Sequence, residues 1–401
     1  MKILYISSVC SPKVLEYIFN TAIIKPGQAI QKFHRLLIEG FSKNKEICEI
    51  EVLSSLPISP NGHTRKIWNI KTDRWHGVSF NYVFTLNIPI IKNLIVFILT
   101  FSKVLFWRFK NLKENKIVIS DVLNISVFWS AFLACKITNQ PIAVIITDLP
   151  VHMVSDSRNL SFFKRVYLKL CSFIIKHVDY YIGLTEQMNV EVNPLGKPFL
   201  VMEGLVDEAI LSLNHEVIPY KEKKIILYAG GIYEKYGVKK LLDAFVDLKD
   251  ENYELHIYGD GDLEDAMTNY TELDTRIYYF GVVPNSVVVQ ELFNASLLVN
   301  PRPASEEFTK FSFPSKNMEY MVSGTPLLTT VLPGMPKEYH EYVYLLEDES
   351  LEGFRNTIQE ILSKSSTELN AFGKKSKDFV LNNKSNVIQA KRIINFLNST
   401  K

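Results

Sequence analysis

Lys224-Ile-Ile-Leu-Tyr-Ala-Gly-Gly231 is a short apolar run that ends on two glycines. A run of this length without polar alternation reads as a strand covered on both faces, the usual state in a parallel sheet. Outward from it the pattern repeats. Residues 254–258, 276–280, 297–300 and 327–330 read as further strands, each separated from the next by a helical stretch. Upstream, strand-like runs at 2–9, 48–53, 116–120, 142–147 and 180–184 alternate with longer helical segments at 28–41, 125–137 and 162–177. That alternation predicts an α/β protein with parallel sheets and crossover helices. Two such series in 401 residues predict two tandem Rossmann-like domains facing each other across a cleft.

The expected boundaries are 1–206 for the first domain, 207–223 for a polar linker containing Asn214, His215 and Pro219, and 224–386 for the second domain. A C-terminal helix, 387–401, is placed to pack back on the first domain. Residues 54–87, with Pro57, Pro60 and Gly62, break the rhythm and read as an irregular or hairpin-containing insertion.

Composition narrows the function class. Apolar residues make up 47% of the chain, enough for two packed cores, and 45 basic against 43 acidic residues leave a net charge of +2. No global field favours nucleic acid. Cys10, Cys48, Cys135 and Cys171 form no Cys-x-x-Cys pair and read as core thiols of a cytoplasmic, reducing compartment. The opening run reads as a buried strand rather than a signal peptide. Residues 88–109 are interrupted by Pro89, Lys92, Asn93, Lys103 and Arg108, so they read as a buried or interfacial helix rather than a span, which needs about 20 mainly apolar residues.

The chemistry concentrates in Phe311-Ser-Phe-Pro-Ser-Lys-Asn-Met-Glu-Tyr-Met-Val-Ser-Gly-Thr-Pro326. This stretch reads as a helix built to hold an anion. Pro314 suits a first turn, Ser315 and Lys316 put a hydroxyl, free N–H groups and a cation at the positive end of the dipole, and Gly324 stops the helix. Glu319 stands one turn on, within reach of a hydroxyl beside that anion. An exposed helix-tip lysine adds little to folding, so Lys316→Ala is expected to cost turnover more than stability.

The loops after the preceding strands share this character. They carry Gly230, Gly231 and Lys235; Gly259 and Gly261; Phe280, Gly281 and Val282; and Arg302. Lys235, Arg302 and Lys316 are placed to neutralise a diphosphate, with the glycines allowing close backbone approach. Taken singly each has a plainer reading: a tight turn, a solvated lysine, an Arg302 paired with Glu306 or Glu307. Asp260-x-Asp262 has the spacing of a metal-binding pair but reads as turn and cap chemistry, so neither metal nor cofactor is expected.

In the first half, Asp148 follows the 142–147 strand and is the candidate catalytic carboxylate; it reads equally as a turn or helix cap. His152 reads as structural. Gly27 opens the 28–41 helix, whose free N–H groups suit a phosphate. Lys164, Arg165, Lys169 and Lys176, with the apolar-basic run 90–110, suit an anionic membrane face or, equally, core helices with solvated edges.

The series Gly-Gly…Lys-x-Gly, Tyr-Gly-Asp-Gly, Phe-Gly, Asn-Pro-Arg and Phe-Pro-Ser-Lys-x-x-Glu-Tyr-Met-x-Ser-Gly-x-Pro resembles the C-terminal half of retaining family 4 glycosyltransferases of the GT-B fold, in particular the bacterial surface-polysaccharide branch. The resemblance implies metal-independent sugar transfer, with retention, from a nucleotide diphosphate donor to a glycan or lipid-linked acceptor, in capsule, exopolysaccharide or O-antigen synthesis. It places Glu319 on the ribose hydroxyls, as the second Glu of the family's Glu-(seven residues)-Glu motif. Ser315 and Lys316 then meet the diphosphate, opposite Gly230, Gly231 and Lys235, and the base lies along 280–282. Where the family usually has a glycine-rich turn in the first half, Gly27 alone fits. By spacing, the first Glu of the motif falls on Phe311, which cannot hydrogen-bond a sugar hydroxyl. Two rival readings follow: a non-catalytic nucleotide-binding partner in a polysaccharide-assembly complex, and a sugar-nucleotide epimerase of the same fold.

Overall fold

A computed structural model describes residues 1–149, 162–212 and 223–400. The chain divides into two compact units, Met1–Glu203 with Asn386–Lys401, and Gly204–Ser385.

The first unit contains strands β1 (Lys2–Ser7), β2 (Glu49–Ser54), β3 (Ile67–Trp68), β4 (Asp73–Trp75), β5 (Val78–Tyr82), β6 (Thr85–Leu86), β7 (Lys116–Asp121), β8 (Ile142–Ile146), β9 (Tyr180–Gly183) and β10 (Phe199–Val201). Eight of them form one sheet in the order β10-β9-β8-β7-β1-β2-β5-β4, parallel throughout except for the β4–β5 hairpin. The 54–87 insertion supplies that hairpin and the small antiparallel β3–β6 pair. Every residue of β7 and β8 is buried, which is why β8 is an unbroken apolar run and β7 is apolar from Ile117 to Ile119.

Around the sheet lie α1 (Pro12–Asn20), α2 (Gln28–Lys43), α3 (Ile91–Lys110), α4 (Ile125–Ile137), α5 (Phe162–Ile175), α6 (Glu186–Val192) and the C-terminal α13 (Asn386–Ser399). The last of these docks on α2: Asn386 Nδ2 donates to the Leu36 carbonyl at 3.1 Å and Asn44 Nδ2 to the Val387 carbonyl at 3.1 Å. Among the described residues no helix is long and apolar enough to cross a membrane. Cys10, Cys135 and Cys171 are buried as expected, whereas Cys48 is exposed, because it sits in the turn that leads into β2.

The second unit holds β11 (Lys224–Ala229), β12 (Tyr253–Tyr258), β13 (Ile277–Gly281), β14 (Leu297–Asn300), β15 (Leu327–Thr330) and β16 (Tyr344–Leu346), in the all-parallel order β13-β12-β11-β14-β15-β16. Its helices are α7 (Val238–Val246), α8 (Glu264–Leu273), α9 (Asn285–Asn294), α10 (Ser315–Ser323), α11 (Leu351–Ser363) and α12 (Ser366–Lys384). Along β11, Ile226 and Tyr228 bury in one core with Leu241, Phe245 and Phe354, while Leu227 and Ala229 bury in another with Met318, Met321 and Phe379. Successive side chains point to opposite faces, so a strand with two cores must be apolar at every position. Residues 207–212 of the expected linker belong to this unit, where the turn Glu208–Ser212 packs against α10; residues 213–222 lie outside the described residues.

Strand order reverses between β1 and β7 in the first sheet and between β11 and β14 in the second. In open parallel sheets the crevice at such a reversal, beyond the carboxyl ends of the strands, is the ligand position.

Candidate functional site

The tip of α10 stands at the reversal in the second sheet. Pro314 is its N-cap, with φ −67° and ψ 111°, rather than a first-turn residue as expected. The Asn317 N–H turns back to the Pro314 carbonyl at 3.0 Å, and no side chain caps the helix, so the Ser315 and Lys316 N–H groups have no partner within it. At the other end Gly324, with φ 82°, donates its N–H to the Met321 carbonyl at 3.1 Å and closes the helix in the left-handed conformation. Two side chains fix α10 to the sheet. Asn300 Nδ2 donates to Asn317 Oδ1 at 2.7 Å, tying the first turn to the end of β14. The Tyr320 hydroxyl accepts from the Ala229 N–H at 2.8 Å and donates to the Ala229 carbonyl at 3.1 Å, tying the second turn to β11.

This anchoring lays Lys316 across Gly230. A Cβ at position 230 would stand 2.4 Å from Lys316 Cε and 2.9 Å from its Nζ. Gly259 is equally constrained: its φ is 125°, and a Cβ there would stand 1.8 Å from the Gly230 carbonyl oxygen. The glycines after β11 and β12 therefore press together beneath the lysine. Beside them a cavity of about 130 Å³ is lined by Gly230, Gly259, Gly281, Val282, Lys316 and Glu319, together with Ala229, Tyr258, Val283, Asn285, Val288, Leu292 and Tyr320.

The electrostatics favour an anion. Burial depresses the Lys316 ammonium below the ordinary lysine range; the Glu319 carboxylate opposes the shift and the positive charge of Arg302 adds to it. Burial likewise lowers the Arg302 guanidinium. That guanidinium lies over the rings of Tyr236, at 4.7 Å, and Phe308, at 5.2 Å, and Nη1 donates to Ser312 Oγ at 3.4 Å. Its Nε is buried with no hydrogen-bond partner, and among the described residues no carboxylate pairs with it. Lys235 is exposed on a short turn, its Nζ 5.5 Å from the centroid of the same Tyr236 ring. Lys316 is thus not the exposed lysine expected from the sequence, but a half-buried one held near a second, unpaired cation.

Residues 213–379 match the family described as Glycosyl transferases group 1. Over the whole chain the structure is similar to sucrose-phosphate synthase from Thermosynechococcus elongatus, with a TM-score of 0.64, 15% identity and 100% and 99% of the two chains covered. It is also similar to HepE from Anabaena in complex with UDP, with a TM-score of 0.61 and 12% identity over 100% of both chains. The apo lipopolysaccharide outer core galactosyltransferase WaaB gives a TM-score of 0.61 and 17% identity over 100% of both. The fold is GT-B. No curated protein matches the chain by sequence.

Within the second Rossmann-like domain of this GT-B chain, six sequence-predicted residues share the cavity and six stand outside its lining. Gly231 is covered by the Tyr233 ring, and Gly261 faces the Ile232 carbonyl; both serve loop packing. Ser315 is exposed at the start of α10, and Lys235 and Arg302 lie around Tyr236. Phe280 stacks on Tyr258, centroids 4.6 Å apart and planes 8° from parallel, so the strand pleat turns its ring aside and presents the backbone of Gly281 and Val282 instead. Phe311 closes the turn Glu307–Lys310, its N–H donating to the Phe308 carbonyl at 3.1 Å. Phe311, Glu306 and Glu307 are all absent from the cavity lining. Asp262 Oδ1 accepts the Glu234 N–H at 3.0 Å.

In the first unit, Asp148 is exposed two residues beyond β8, and Gly27 is the N-cap of α2 with open space around it. His152 and the side chains of Lys164 and Arg165 lie outside the described residues. Sequence reasoning missed Tyr258, Asn285 and Tyr320. A helix start directly after Val282-Val283-Pro284 was the available signal for Asn285.

Proposed function

We propose that the protein is a glycosyltransferase that moves a sugar from a nucleotide diphosphate donor to a glycan or lipid-linked acceptor, with retention and without a metal, in bacterial surface-polysaccharide synthesis. The observation that carries the donor half is the pair of desolvated cations, Lys316 and Arg302, at the uncapped tip of α10. A departing nucleoside diphosphate gains negative charge, and cations and N–H groups already in place stabilise it without reorganising. Glu319, one turn behind Lys316 on the same face of α10, suits the ribose hydroxyls. The flat backbone of Gly281 and Val282 suits the edge of a base. The family match over 213–379 supports the same reading. Asp148 and the N-terminus of α2 at Gly27 are proposed to serve the acceptor and the donor phosphates from the first domain. Neutralisation by Lys316 and Arg302 leaves no step that calls for a metal.

A lipid-linked acceptor implies work at the cytoplasmic face of a membrane, and α3 supports this. Its inner face buries Val96, Thr100, Val104 and Trp107, yet its outer face is also apolar. Leu94 is 58% exposed, Phe106 71% and Phe109 60%, with Ile91 and Ile98 completing the stripe. The helix's C-terminal end adds the exposed Lys110 and Lys113, and residues 88–113 hold no acidic residue, a charge pattern that fits an anionic lipid surface; Lys92 and Lys103 turn inward, to the Ile58 and Tyr82 carbonyls.

Calorimetry with UDP, GDP and their sugars, followed by donor turnover in a membrane extract, tests the proposal. Binding with turnover supports it; absence of binding to every nucleotide overturns it. Binding without turnover favours the second reading, a non-catalytic nucleotide-binding partner, for which Phe311 at the motif's first Glu position is the supporting observation.

A further inference from the structure

Four strands form the outer edges of the two large sheets, and three of them are blunted. β4, β10 and β16 are each three residues long; β4 carries Asp73 and Arg74, and the Val201 carbonyl of β10 accepts from Arg392 Nη2 at 3.2 Å. Short length and charge are the usual protections of a sheet edge against stray pairing. β13 has neither. It runs for five residues, Ile-Tyr-Tyr-Phe-Gly, without a charge or a proline, and among the described residues no strand pairs with its outer side.

The two faces beside this edge differ. On one, Tyr278 is 39% and Phe280 42% exposed; their rings lie 6.4 Å apart with planes 19° from parallel, and the His256 ring of β12 touches both at 5.2 Å. On the other, Tyr279 packs with Met267 and Tyr270 of α8. Burial raises the Tyr279 phenol, and the Glu264 and Asp260 carboxylates beside it add to the shift. Residues 257–275, which include the whole of α8, hold six acidic residues and no basic one. Asp274 is held by Arg276 at 2.6 Å, whereas the exposed Glu264, Asp265 and Glu272 make no ion pair among the described residues. An apolar aromatic ledge thus lies on one side of an unguarded edge and an acidic helix on the other.

We propose that β13 is a docking edge that takes an extended, basic segment of a partner protein as an added strand. The backbone groups on the outer side of β13 pair with the segment. Successive side chains of a strand point to opposite faces, so the segment's apolar residues rest on Tyr278 and Phe280 while its Lys or Arg residues meet Glu264 and the rest of the acidic helix. A second copy of this chain is opposed by charge: antiparallel pairing of two β13 edges keeps like faces on the same side and sets one acidic α8 beside the other. The inference does not depend on the donor reading, because Tyr278, Tyr279 and Phe280 lie outside the lining of the nucleotide cavity.

Fluorescence anisotropy of a labelled peptide of alternating valine and arginine, about eight residues long, titrated with the full chain tests it. The peptide is expected to bind, more weakly as salt rises, and its valine-glutamate counterpart is expected not to bind. The same valine-arginine peptide N-methylated at every residue keeps its charge but loses its backbone donors, and it too is expected not to bind. Tyr278→Lys, at an exposed position, is expected to weaken binding about fivefold or more, and Glu264→Gln to lessen the salt dependence, with thermal melts confirming that both variants fold. The proposal is overturned by no binding of the valine-arginine peptide, equal binding of its N-methylated form, undiminished binding to folded Tyr278→Lys, or an unchanged salt dependence in Glu264→Gln. A dimer of the chain alone that Tyr278→Lys dissolves, as read by sedimentation, overturns it as well, since the edge then serves a second copy.

Discussion

Lys316 lies over Gly230 so closely that a Cβ at residue 230 would stand 2.4 Å from Lys316 Cε. The contact joins the tip of α10 to the loop after β11, and it brings together a glycine and a lysine 86 positions apart. The atoms in the way belong to the far end of a flexible side chain. Gly230→Ala is therefore expected to displace Lys316 with little loss of melting temperature and to weaken nucleotide diphosphate binding about tenfold or more, as read by calorimetry. Gly259→Ala meets backbone instead, the Gly230 carbonyl at 1.8 Å, at a φ of 125°, and is expected to lower stability by about 1–3 kcal/mol in a denaturant titration.

Lys316→Ala removes a half-buried cation whose charge the fold disfavours. Its melting temperature is expected to be unchanged or slightly higher, while donor turnover falls by about a hundredfold or more, as for other groups that stabilise transition-state charge. Full turnover in this variant would remove Lys316 from the chemistry.

The same burial produces a pH dependence. Lys316 in the free protein loses its proton below the ordinary lysine value, because the cation is desolvated, and a bound diphosphate restores it. Nucleotide affinity is expected to fall as pH rises through that lowered value, with proton uptake on binding detectable by calorimetry in buffers of different ionisation enthalpy. Between the folded and unfolded values the unfolded chain holds more protons, so this group adds stability to the unliganded protein as pH rises. Lys316→Met is expected to flatten both responses.

Cys48 is the exposed thiol of the four; burial pushes Cys10 up to about 12 and Cys171 up to about 11. A thiol-reactive chromophore at pH 8 is expected to count one fast group in the native protein and four in denaturant.

The outer stripe of α3 is expected to carry membrane contact. Flotation with phosphatidylglycerol vesicles should retain the protein, neutral vesicles should not, and high salt should weaken binding. Phe106→Asp with Phe109→Asp replaces exposed residues, so it should abolish flotation without lowering the melting temperature.

Much of this was legible in the chain. The strands at 297–300 and 327–330 appear at the predicted bounds, and α10 starts at Ser315 and stops before Gly324, because buried parallel strands and helix stops depend on residues adjacent in sequence. Phe280 was harder. Its place in the strand was readable, but the ring's stacking on Tyr258 required the neighbouring strand in register. Arg302 was readable as a cation near a loop, yet that no carboxylate among the described residues pairs with it emerged only once Tyr236 and Phe308 closed around it.

Local sequence by itself determined that this is an α/β chain with two mainly parallel sheets and a helix that starts at Ser315 and stops before Gly324, since apolar periodicity, glycine and proline act over a few residues. Tertiary structure alone decided that Lys316 is half-buried against Gly230, that Arg302 meets no carboxylate among the described residues, and that Asp121 Oδ2 and His34 Nε2 stand 3.8 Å apart. Desolvation and pairing depend on what the fold brings up against a side chain from distant parts of the sequence, and no spacing rule within one segment encodes that.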